Sequence, residues 1–388
     1  MEFIDLKTQQ QRIKSQLDVN IQRVLAHGSY IMGPEIKQLE AKLSEYTGTK
    51  HAVACASGTD AILMALMAYN IGPGDAILTT PFTFIATAEV ISLLGATPVF
   101  VDIDPKTYNI DPDKLEQAIT ALKSNDPSLH PLPVSSSHSP LTIRGIIPVD
   151  LFGLSADYDA INAIAARHGL FVIEDAAQSF GAEYQSRKTC SLTDIACTSF
   201  FPAKPLGCYG DGGMCFTDND VLAAALVSIR VHGKGSHKYD NARIGVNGRL
   251  DTLQAAILLA KFAIFPEEAE LRNEVAARYT EGIGQTAAAL VAPHIPAGCR
   301  SVWAQYSVLA ETGSHRAALM DKLKAAGIPT AIYYPKPLHL QTAFAPLGYG
   351  TGAFPVSEDA AGRIFSLPMH PYLAKEDQRL IIGRLTGK

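Results

Sequence analysis

Between residues 52 and 217, short apolar runs alternate with longer stretches in which apolar positions recur at helical spacing. The runs contain few polar residues, which is typical of strands that are buried on both faces of a parallel sheet. They predict strands over 52–56, 76–79, 98–103, 146–151 and 170–173.

Helices are predicted between these strands, and turn residues mark where they stop. One helical pattern covers 60–69 and ends before Gly72-Pro73-Gly74-Asp75, and another covers 156–168 and ends at Gly169. Alternation of strands and helices predicts an α/β fold with a mostly parallel sheet covered by helices on both faces.

The pattern changes after Asp251. A long helical pattern covers 252–279, and later segments predict a strand over 305–309 and a helix over 316–326. We therefore expect a large domain over residues 1–250 and a smaller C-terminal α+β domain over residues 251–388.

The segment 123–144 interrupts the alternation. It is rich in Pro and Ser, which favours an exposed insertion without helix or inner strand. A role in substrate access is the alternative interpretation of this segment.

Composition fits an ordinary globular protein. Of 388 residues, 47% are hydrophobic and 18% are charged, so the chain can bury a large core. The net charge is −5 and no run of five like charges is present, so neither nucleic acid nor an anionic membrane is expected as a partner. The first residues contain no apolar signal segment, and no apolar stretch reaches the roughly 18 residues that span a bilayer. A cytoplasmic protein with six reduced cysteines is expected.

Ser57-Gly58-Thr59-Asp60 lies where a predicted strand gives way to a helix. Free N–H groups at a helix N-terminus, together with a glycine and a hydroxyl, suit a phosphate group. The alternative is that Ser57 is simply a helix N-cap.

Asp175 ends the apolar run that begins near residue 170. Ligands of α/β proteins bind at the carboxyl ends of parallel strands. A carboxylate in that place can pair with a protonated pyridine nitrogen. A structural carboxylate or a helix N-cap is the alternative, and no suitably spaced ligands predict a metal site.

Lys204 lies among prolines, apolar residues and glycines, with almost no charged neighbours. An apolar environment lowers the pKa of a lysine and makes its amine nucleophilic. The alternative is a partly buried lysine that is paired with an acid. The glycines at 210, 212 and 213 do not form a P-loop, because no GxxxxGK[ST] pattern is present.

Three long segments carry a family resemblance. The first includes Asp175 and the second includes Lys204. They are Glu-Asp-Ala-Ala-Gln-Ser-Phe-Gly at 174–181, Ser-Phe-Phe-Pro-Ala-Lys-Pro-Leu-Gly at 199–207 and Gly-Val-Asn-Gly-Arg-Leu-Asp-Thr-Leu-Gln-Ala-Ala at 245–256. The sequence resembles the DegT/DnrJ family of sugar aminotransferases over nearly its whole length. The resemblance implies the aspartate-aminotransferase fold (fold type I), pyridoxal 5'-phosphate held by Lys204 as a Schiff base, and a homodimer with shared active sites.

The resemblance also assigns roles to single residues. For the cofactor, it implies phosphate contacts from Gly58, Thr59 and Ser199, ring stacking by Phe84, ring-nitrogen pairing by Asp175, a ring contact by Gln178, and Asn247 reaching the phosphate in the partner's site. For the sugar nucleotide, it implies contacts from Gly28, Tyr30, Arg249, Tyr333 and Tyr334.

The implied reaction transfers the amino group of L-glutamate to a keto-sugar nucleotide. The acceptor that the resemblance implies is UDP-2-acetamido-2-deoxy-3-oxo-D-glucuronate, a UDP-sugar of bacterial O-antigen synthesis, and Arg249 suits its carboxylate. A subunit-interface salt bridge is the other interpretation of Arg249. Two positions depart from the family pattern, since relatives often have His at Tyr333 and Ser at Ala203.

Three other functions compete with this one. The first is amination of a different acceptor, such as a 4-keto-6-deoxyhexose nucleotide. The second is a sugar dehydratase on the same scaffold, but those enzymes have His in place of Lys204. The third is a non-catalytic regulator.

Overall fold

The computed structural model describes residues 1–134, 140–237, 239–284 and 289–386. The strands are β1 (His51–Cys55), β2 (Asp75–Thr79), β3 (Thr97–Phe100), β4 (Thr142–Ile147), β5 (Phe171–Asp175), β6 (Glu183–Tyr184), β7 (Arg187–Lys188), β8 (Ile195–Ser199), β9 (Gly213–Thr217), β10 (Leu290–Val291), β11 (Cys299–Arg300), β12 (Tyr306–Ala310) and β13 (Ile364–Leu367). The α-helices are α1 (Leu6–Arg12), α2 (Lys14–His27), α3 (Pro34–Thr47), α4 (Gly58–Ala68), α5 (Ala86–Leu93), α6 (Pro112–Ser124), α7 (Tyr158–His168), α8 (Asp220–Ile229), α9 (Thr252–Phe262), α10 (Phe265–Gly284), α11 (Gly313–Ala325), α12 (Pro355–Arg363) and α13 (Lys375–Thr386).

A seven-stranded sheet in the order β1-β9-β8-β5-β4-β2-β3 forms the centre of the structure. β9 runs antiparallel to its two neighbours, and the remaining pairings are parallel. The predicted mostly parallel sheet is therefore confirmed. Because β1, β5 and β8 run in the same direction, their carboxyl ends meet at one edge of the sheet.

Side chains alternate between the two faces of this sheet and fill a separate core on each. Along β1, Val53 and Cys55 point to the face that α4 and α8 cover, through residues such as Leu66 and Leu226. Ala54 points to the opposite face, which packs against apolar residues of α3 and α9. The apolar runs are thus nearly continuous because both faces are covered.

The predicted strands exist, but several ends differ. The run 146–151 was expected to be one strand, whereas β4 ends at Ile147. Pro148 follows and has no N–H to donate, and only an isolated bridge from Val149 to Asp175 continues the pairing. Likewise, the run 98–103 forms a strand only over Thr97–Phe100.

The prediction of a single long helix over 252–279 is wrong, because the chain forms two helices, α9 and α10, with a break at 263–264. Pro266 cannot donate to the carbonyl four residues earlier, so a continuous helix would lose a hydrogen bond there. α9 packs against the N-terminal helices, with Ile257 near Ile13 and Leu17.

The division into domains at residue 250 stays a prediction. A second sheet, in the order β10-β12-β13, lies wholly after that residue, whereas α9 shares the core of the first half.

The expectation for 123–144 is wrong at both ends. Helix α6 continues to Ser124, where Asn125 in the left-handed conformation caps it, and β4 begins at Thr142. Residues 135–139 lie outside the described part of the chain, and the described residues between α6 and β4 form neither helix nor strand.

The six cysteines are free thiols, as expected, and five of them are buried. Among the described helices, none is both long and apolar enough to cross a membrane.

A glycine in β4 gives a test of how closely the sheet packs. A Cβ at Gly145 would lie 2.2 Å from Cε2 of Phe171, whose ring stacks on Tyr69 at 4.0 Å. We expect Gly145→Ala to lower the free energy of unfolding by about 1–3 kcal/mol, because the neighbouring ring must move.

Denaturant unfolding of Gly145→Ala, Phe171→Leu and the double variant checks this prediction. The smaller Leu should relieve the clash, so the double variant should lose less than the sum of the two single variants. Additive losses would contradict the packing described.

Candidate active site

The first part of the site is the N-terminus of α4, directly after β1. The Ser57 hydroxyl accepts a hydrogen bond from the N–H of Asp60 at 3.0 Å, so Ser57 is the predicted N-cap. The first N–H groups of α4, including those of Gly58 and Thr59, have no acceptor within the helix. A cap and an anion site are therefore compatible here.

Close backbone approach explains the glycines around this helix end. A Cβ at Gly58 would lie 2.7 Å from Cβ of Ser199, which ends β8. A Cβ at Gly213 would lie 2.3 Å from the carbonyl oxygen of Ser57. The structure thus brings Gly58 and Ser199 into contact, and Thr59 is half-buried beside them.

The second part is Asp175 at the carboxyl end of β5. Its side chain is 4% exposed, and its carboxylate accepts hydrogen bonds from the hydroxyl of Thr87 at 2.7 Å and from the N–H of Ala177 at 3.2 Å. Burial raises the pKa of Asp175, while these two hydrogen bonds and the nearby charge of Lys204 oppose the shift. No ion pair to Asp175 is found among the described residues.

Thr87 is a site residue that the sequence reasoning missed. Its only sequence signal is its position three residues after Phe84, on the first turn of α5. The hydroxyl donates to Oδ2 of Asp175, so it holds the carboxylate oriented and favours its charged form.

The third part is the loop that carries Lys204. Two backbone hydrogen bonds of 2.8 Å shape it, one from Lys204 N–H to Phe201 and one from Cys208 N–H to Phe200. The side chain of Lys204 is half-buried. Burial among protein atoms nevertheless lowers the pKa of Lys204 to about 8, and the charge of Asp175 partly opposes this shift.

Gln178, Tyr334 and Phe84 extend the same site. Gln178 accepts a hydrogen bond from the N–H of Phe152 at 2.8 Å and donates to the Tyr334 hydroxyl at 3.1 Å. The ring of Phe84 is 55% exposed and lies 6.4 Å from the ring of Tyr334. Phe84 thus offers an uncovered aromatic surface near Asp175.

Arg249 lies beside the helix end that Ser57 caps. The N–H of Ala56 donates to the carbonyl of Gly248 at 3.0 Å, which fixes the backbone next to Arg249. Nε of Arg249 is buried without a hydrogen-bond partner in the structure. No carboxylate of the described residues forms an ion pair with this guanidinium. A structural salt bridge within the chain therefore does not explain Arg249.

The remaining predicted residues are Gly28, Tyr30 and Asn247, and they stay predictions. Gly28 is the left-handed C-cap of α2, and Tyr30, which is 48% exposed, accepts a hydrogen bond through its carbonyl from the N–H of Thr252. Asn247 is exposed. No described contact joins Tyr30 or Asn247 to Asp175 or Lys204 within one chain.

The two departures from the family pattern also have clear positions. Tyr333 is half-buried and its ring lies 6.5 Å from that of Phe3, so the N-terminal segment borders this side of the site. Ala203, directly before Lys204, is half-buried and brings no hydroxyl.

This donor set fits pyridoxal phosphate. A helix N-terminus with Ser199 can receive the phosphate, and the buried carboxylate of Asp175 can receive a protonated ring nitrogen. Phe84 offers a stacking surface, and Lys204 offers an amine whose pKa is close to neutral pH.

Comparisons with known proteins identify the family of this chain. Residues 11–386 match the DegT/DnrJ/EryC1/StrS aminotransferase family. UDP-2-acetamido-2-deoxy-3-oxo-D-glucuronate aminotransferase of Pseudomonas aeruginosa is 50% identical over 387 residues, which is 100% of both chains.

Two solved structures have the same fold. A DegT/DnrJ/EryC1/StrS aminotransferase from Brucella abortus is 50% identical, with a TM-score of 0.93 over 100% of this chain and 99% of that one. NtdA of Bacillus subtilis, solved with bound cofactor PMP, is 29% identical, with a TM-score of 0.84 over 99% of this chain and 82% of that one. The expected fold is thereby confirmed, and the chain belongs to the DegT/DnrJ/EryC1/StrS family of pyridoxal-phosphate-dependent nucleotide-sugar aminotransferases.

Proposed function

We propose that this chain transfers the amino group of L-glutamate to the 3-keto group of UDP-2-acetamido-2-deoxy-3-oxo-D-glucuronate. The observation that carries the choice of acceptor is Arg249, whose buried Nε has no partner in the structure. The 50% identical relative with this activity over its full length supports the same acceptor. The product would be a precursor of bacterial O-antigen made in the cytoplasm.

Arg249 is suited to the carboxylate of a uronate. A buried donor without an acceptor costs free energy, and a guanidinium recovers it best by binding a carboxylate with two parallel hydrogen bonds. A 6-deoxyhexose has no carboxylate, so its sugar ring could not form this pair with the guanidinium. Arg249 therefore favours a uronate over a 6-deoxy sugar.

Each residue of the site has a defined task in the reaction. When bound, pyridoxal phosphate supplies the electron sink that stabilises negative charge at the reacting carbon. Lys204 Nζ takes the α-proton of the amino donor and returns it, because an amine with a pKa of about 8 is partly neutral near pH 7. Asp175, oriented by Thr87, would accept the hydrogen bond of the protonated ring nitrogen.

Gln178 and Phe84 restrict how the ring can lie. Gln178 is fixed from two sides, by Phe152 and by Tyr334, so its amide has a single orientation. The Phe84 ring offers a flat apolar surface that could cover one face of the cofactor. Orientation of this kind reduces the entropy that must be lost on reaching the transition state.

A second copy of the chain completes the site in this proposal. Several large apolar side chains are exposed in the single chain, and they include Tyr30, Ile31, Phe84, Phe201 and Ile244. A partner subunit that covered such side chains would remove their apolar surface from water. Asn247, which is also exposed, would then contact the phosphate in the partner's site.

An intact Lys204 distinguishes this proposal from two of the competing functions, the dehydratase and the regulator. A sugar dehydratase of this scaffold has His there, and a regulator needs no lysine whose pKa burial lowers to about 8. Turnover of a 4-keto-6-deoxyhexose nucleotide but not of the uronate, with L-glutamate as donor, would overturn the choice of acceptor.

Arg249 gives a test of the substrate. We expect Arg249→Gln to reduce kcat/KM for the UDP-3-keto-uronate by roughly 10- to 100-fold, as for a lost charged hydrogen bond. Arg249→Lys should fall in between, because it keeps the charge without the planar fork. Steady-state kinetics with the uronate and with the matching keto-sugar that lacks the carboxylate measure this. An equal loss on both acceptors would show that Arg249 does not bind the carboxylate.

Lys204 gives a test by pH. Only the neutral amine captures an aldehyde, so covalent capture of pyridoxal phosphate by the apoprotein should speed up as pH rises and level off above about 8. Asp175→Asn should move the midpoint to lower pH, because the negative charge of Asp175 favours the protonated lysine.

Stopped-flow absorbance measures the capture rate, and Lys204→Ala is the blank. A rate that keeps rising to pH 10, as for an ordinary lysine, contradicts the assignment. A midpoint unchanged by Asp175→Asn would mean that Asp175 carries no charge close to Lys204.

A further inference from the structure

The segment 335–357, which follows Tyr334, covers the outer edge of the central sheet. Near its start, the N–H of Leu338 donates to the carbonyl of Pro81 at 2.8 Å. Near its end, the Asp102 carboxylate accepts from the N–H of Ser357 at 2.9 Å and also from its hydroxyl. The segment is thus anchored twice to chain that follows β2 and β3.

Between these anchors the segment contributes to an apolar group, here named the edge cluster. Its members lie on β3, on α5 or next to it, and on the covering segment: Ile85, Ala88, Phe100, Leu338, Phe344, Leu347, Tyr349, Ala353 and Phe354. Ile85 and Ala88 each directly follow a site residue, Phe84 and Thr87. The edge cluster therefore packs against the same short piece of chain that carries those two residues.

The insertion after α6 closes the edge cluster from outside. His130 is buried, its Nε2 lies 2.8 Å from the carbonyl oxygen of Phe100, and its ring centroid lies 5.9 Å from that of Phe354. A carbonyl only accepts, so Nε2 carries the proton. The N–H of Val134 donates to the carbonyl of Leu347 at 2.8 Å.

Val134 is attached through its backbone rather than its side chain. The side chain is 63% exposed, so burial of its methyl groups adds little. Gly348, next to Leu347, has φ +75°, and a Cβ there would lie 2.6 Å from Cγ2 of Val134. The insertion therefore approaches the covering segment as closely as a glycine permits.

We propose that residues 125–134 act as a clamp that positions the covering segment, and with it Tyr333 and Tyr334, for binding of the sugar nucleotide. The clamp itself stands on the contacts above, whereas its effect on substrate binding rests on the proposed function. Asp175 and Lys204 follow strands of the central sheet, which pair with each other independently of the insertion. His130 and Val134 contact β3 and the covering segment rather than α5, so the clamp is expected to affect binding of the sugar nucleotide more than the reaction with the amino donor.

Val134→Pro tests the clamp, because it removes the N–H that donates to Leu347 and little else. Val134→Ala is the matched control, since it removes methyl groups but keeps that N–H. His130→Ala is a second disruptive variant in case the proline disturbs folding.

The first measurement is hydrogen exchange of the apoprotein, read by mass spectrometry on peptides from residues 333–350. Faster exchange is expected in Val134→Pro and His130→Ala, and wild-type exchange in Val134→Ala. Unchanged exchange in both disruptive variants would overturn the clamp, whatever the enzyme's substrate is.

The second measurement separates the two halves of the reaction. In Val134→Pro, KM for the UDP-3-keto-uronate should rise about fivefold, the factor that one lost hydrogen bond of ordinary net strength produces. The single-turnover reaction of Val134→Pro with L-glutamate should stay within about twofold of wild type. In the control variant Val134→Ala, both values should match wild type within the same factor.

Other outcomes of the second measurement decide against the substrate role. Faster exchange with an unchanged KM would mean that the clamp orders the segment without affecting the sugar nucleotide. An equal loss in both half-reactions would mean that the insertion supports the whole fold. If wild type aminates no keto-sugar nucleotide, the proposed function fails, while the exchange measurement still decides whether the clamp exists.

Discussion

The parallel pairing of β5 with β8 is the constraint on which the site depends. Asp175 ends β5 and is paired with Cys197 of β8. Lys204 lies in the loop that directly follows β8, so it is close to Asp175. Both strands deliver their chemical groups to the same edge of the sheet, and β1 delivers Gly58 to it as well. A one-residue slip of β5 would turn Asp175 to the other face of the sheet. The buried apolar residues that fix this register therefore also fix the active site.

Burial at that edge shifts the pKa values of Asp175 and Lys204 in opposite directions. Burial raises the pKa of Asp175 and lowers that of Lys204, because each charged form loses contact with water. Their mutual attraction opposes both shifts, so it favours the charged form of each group. Thr87 adds a hydrogen bond that only the structure reveals.

The sequence was sufficient for features that depend on local pattern. The presence of β1 to β5, the Ser57 cap and the placing of Asp175 at a strand end all follow from apolar runs and their boundaries. Longer-range packing decided the rest. The break between α9 and α10 depends on Pro266 inside an apparently continuous pattern, and the hydrogen bond of Thr87 joins residues 88 positions apart.

The unpartnered state of Arg249 could not be predicted from sequence either. Any of the acidic residues could have been its partner until their positions were known. The insertion shows the same limit, since its Pro and Ser content indicates a loop but not what that loop touches. Family resemblance assigned Tyr333 and Tyr334, whereas only the structure connects their segment to Val134.

The most direct test of the account is to find which lysine carries the cofactor. Lys261 is a physical rival, because it is buried and its pKa is also lowered to about 8, with its ammonium 4.9 Å from the ring centroid of Tyr209. Borohydride reduction of the protein with bound pyridoxal phosphate, followed by peptide mass spectrometry, identifies the modified residue. We expect a single label on Lys204, the lysine with Asp175 near it, and none on Lys261. A label on Lys261, or no label on Lys204, would contradict it.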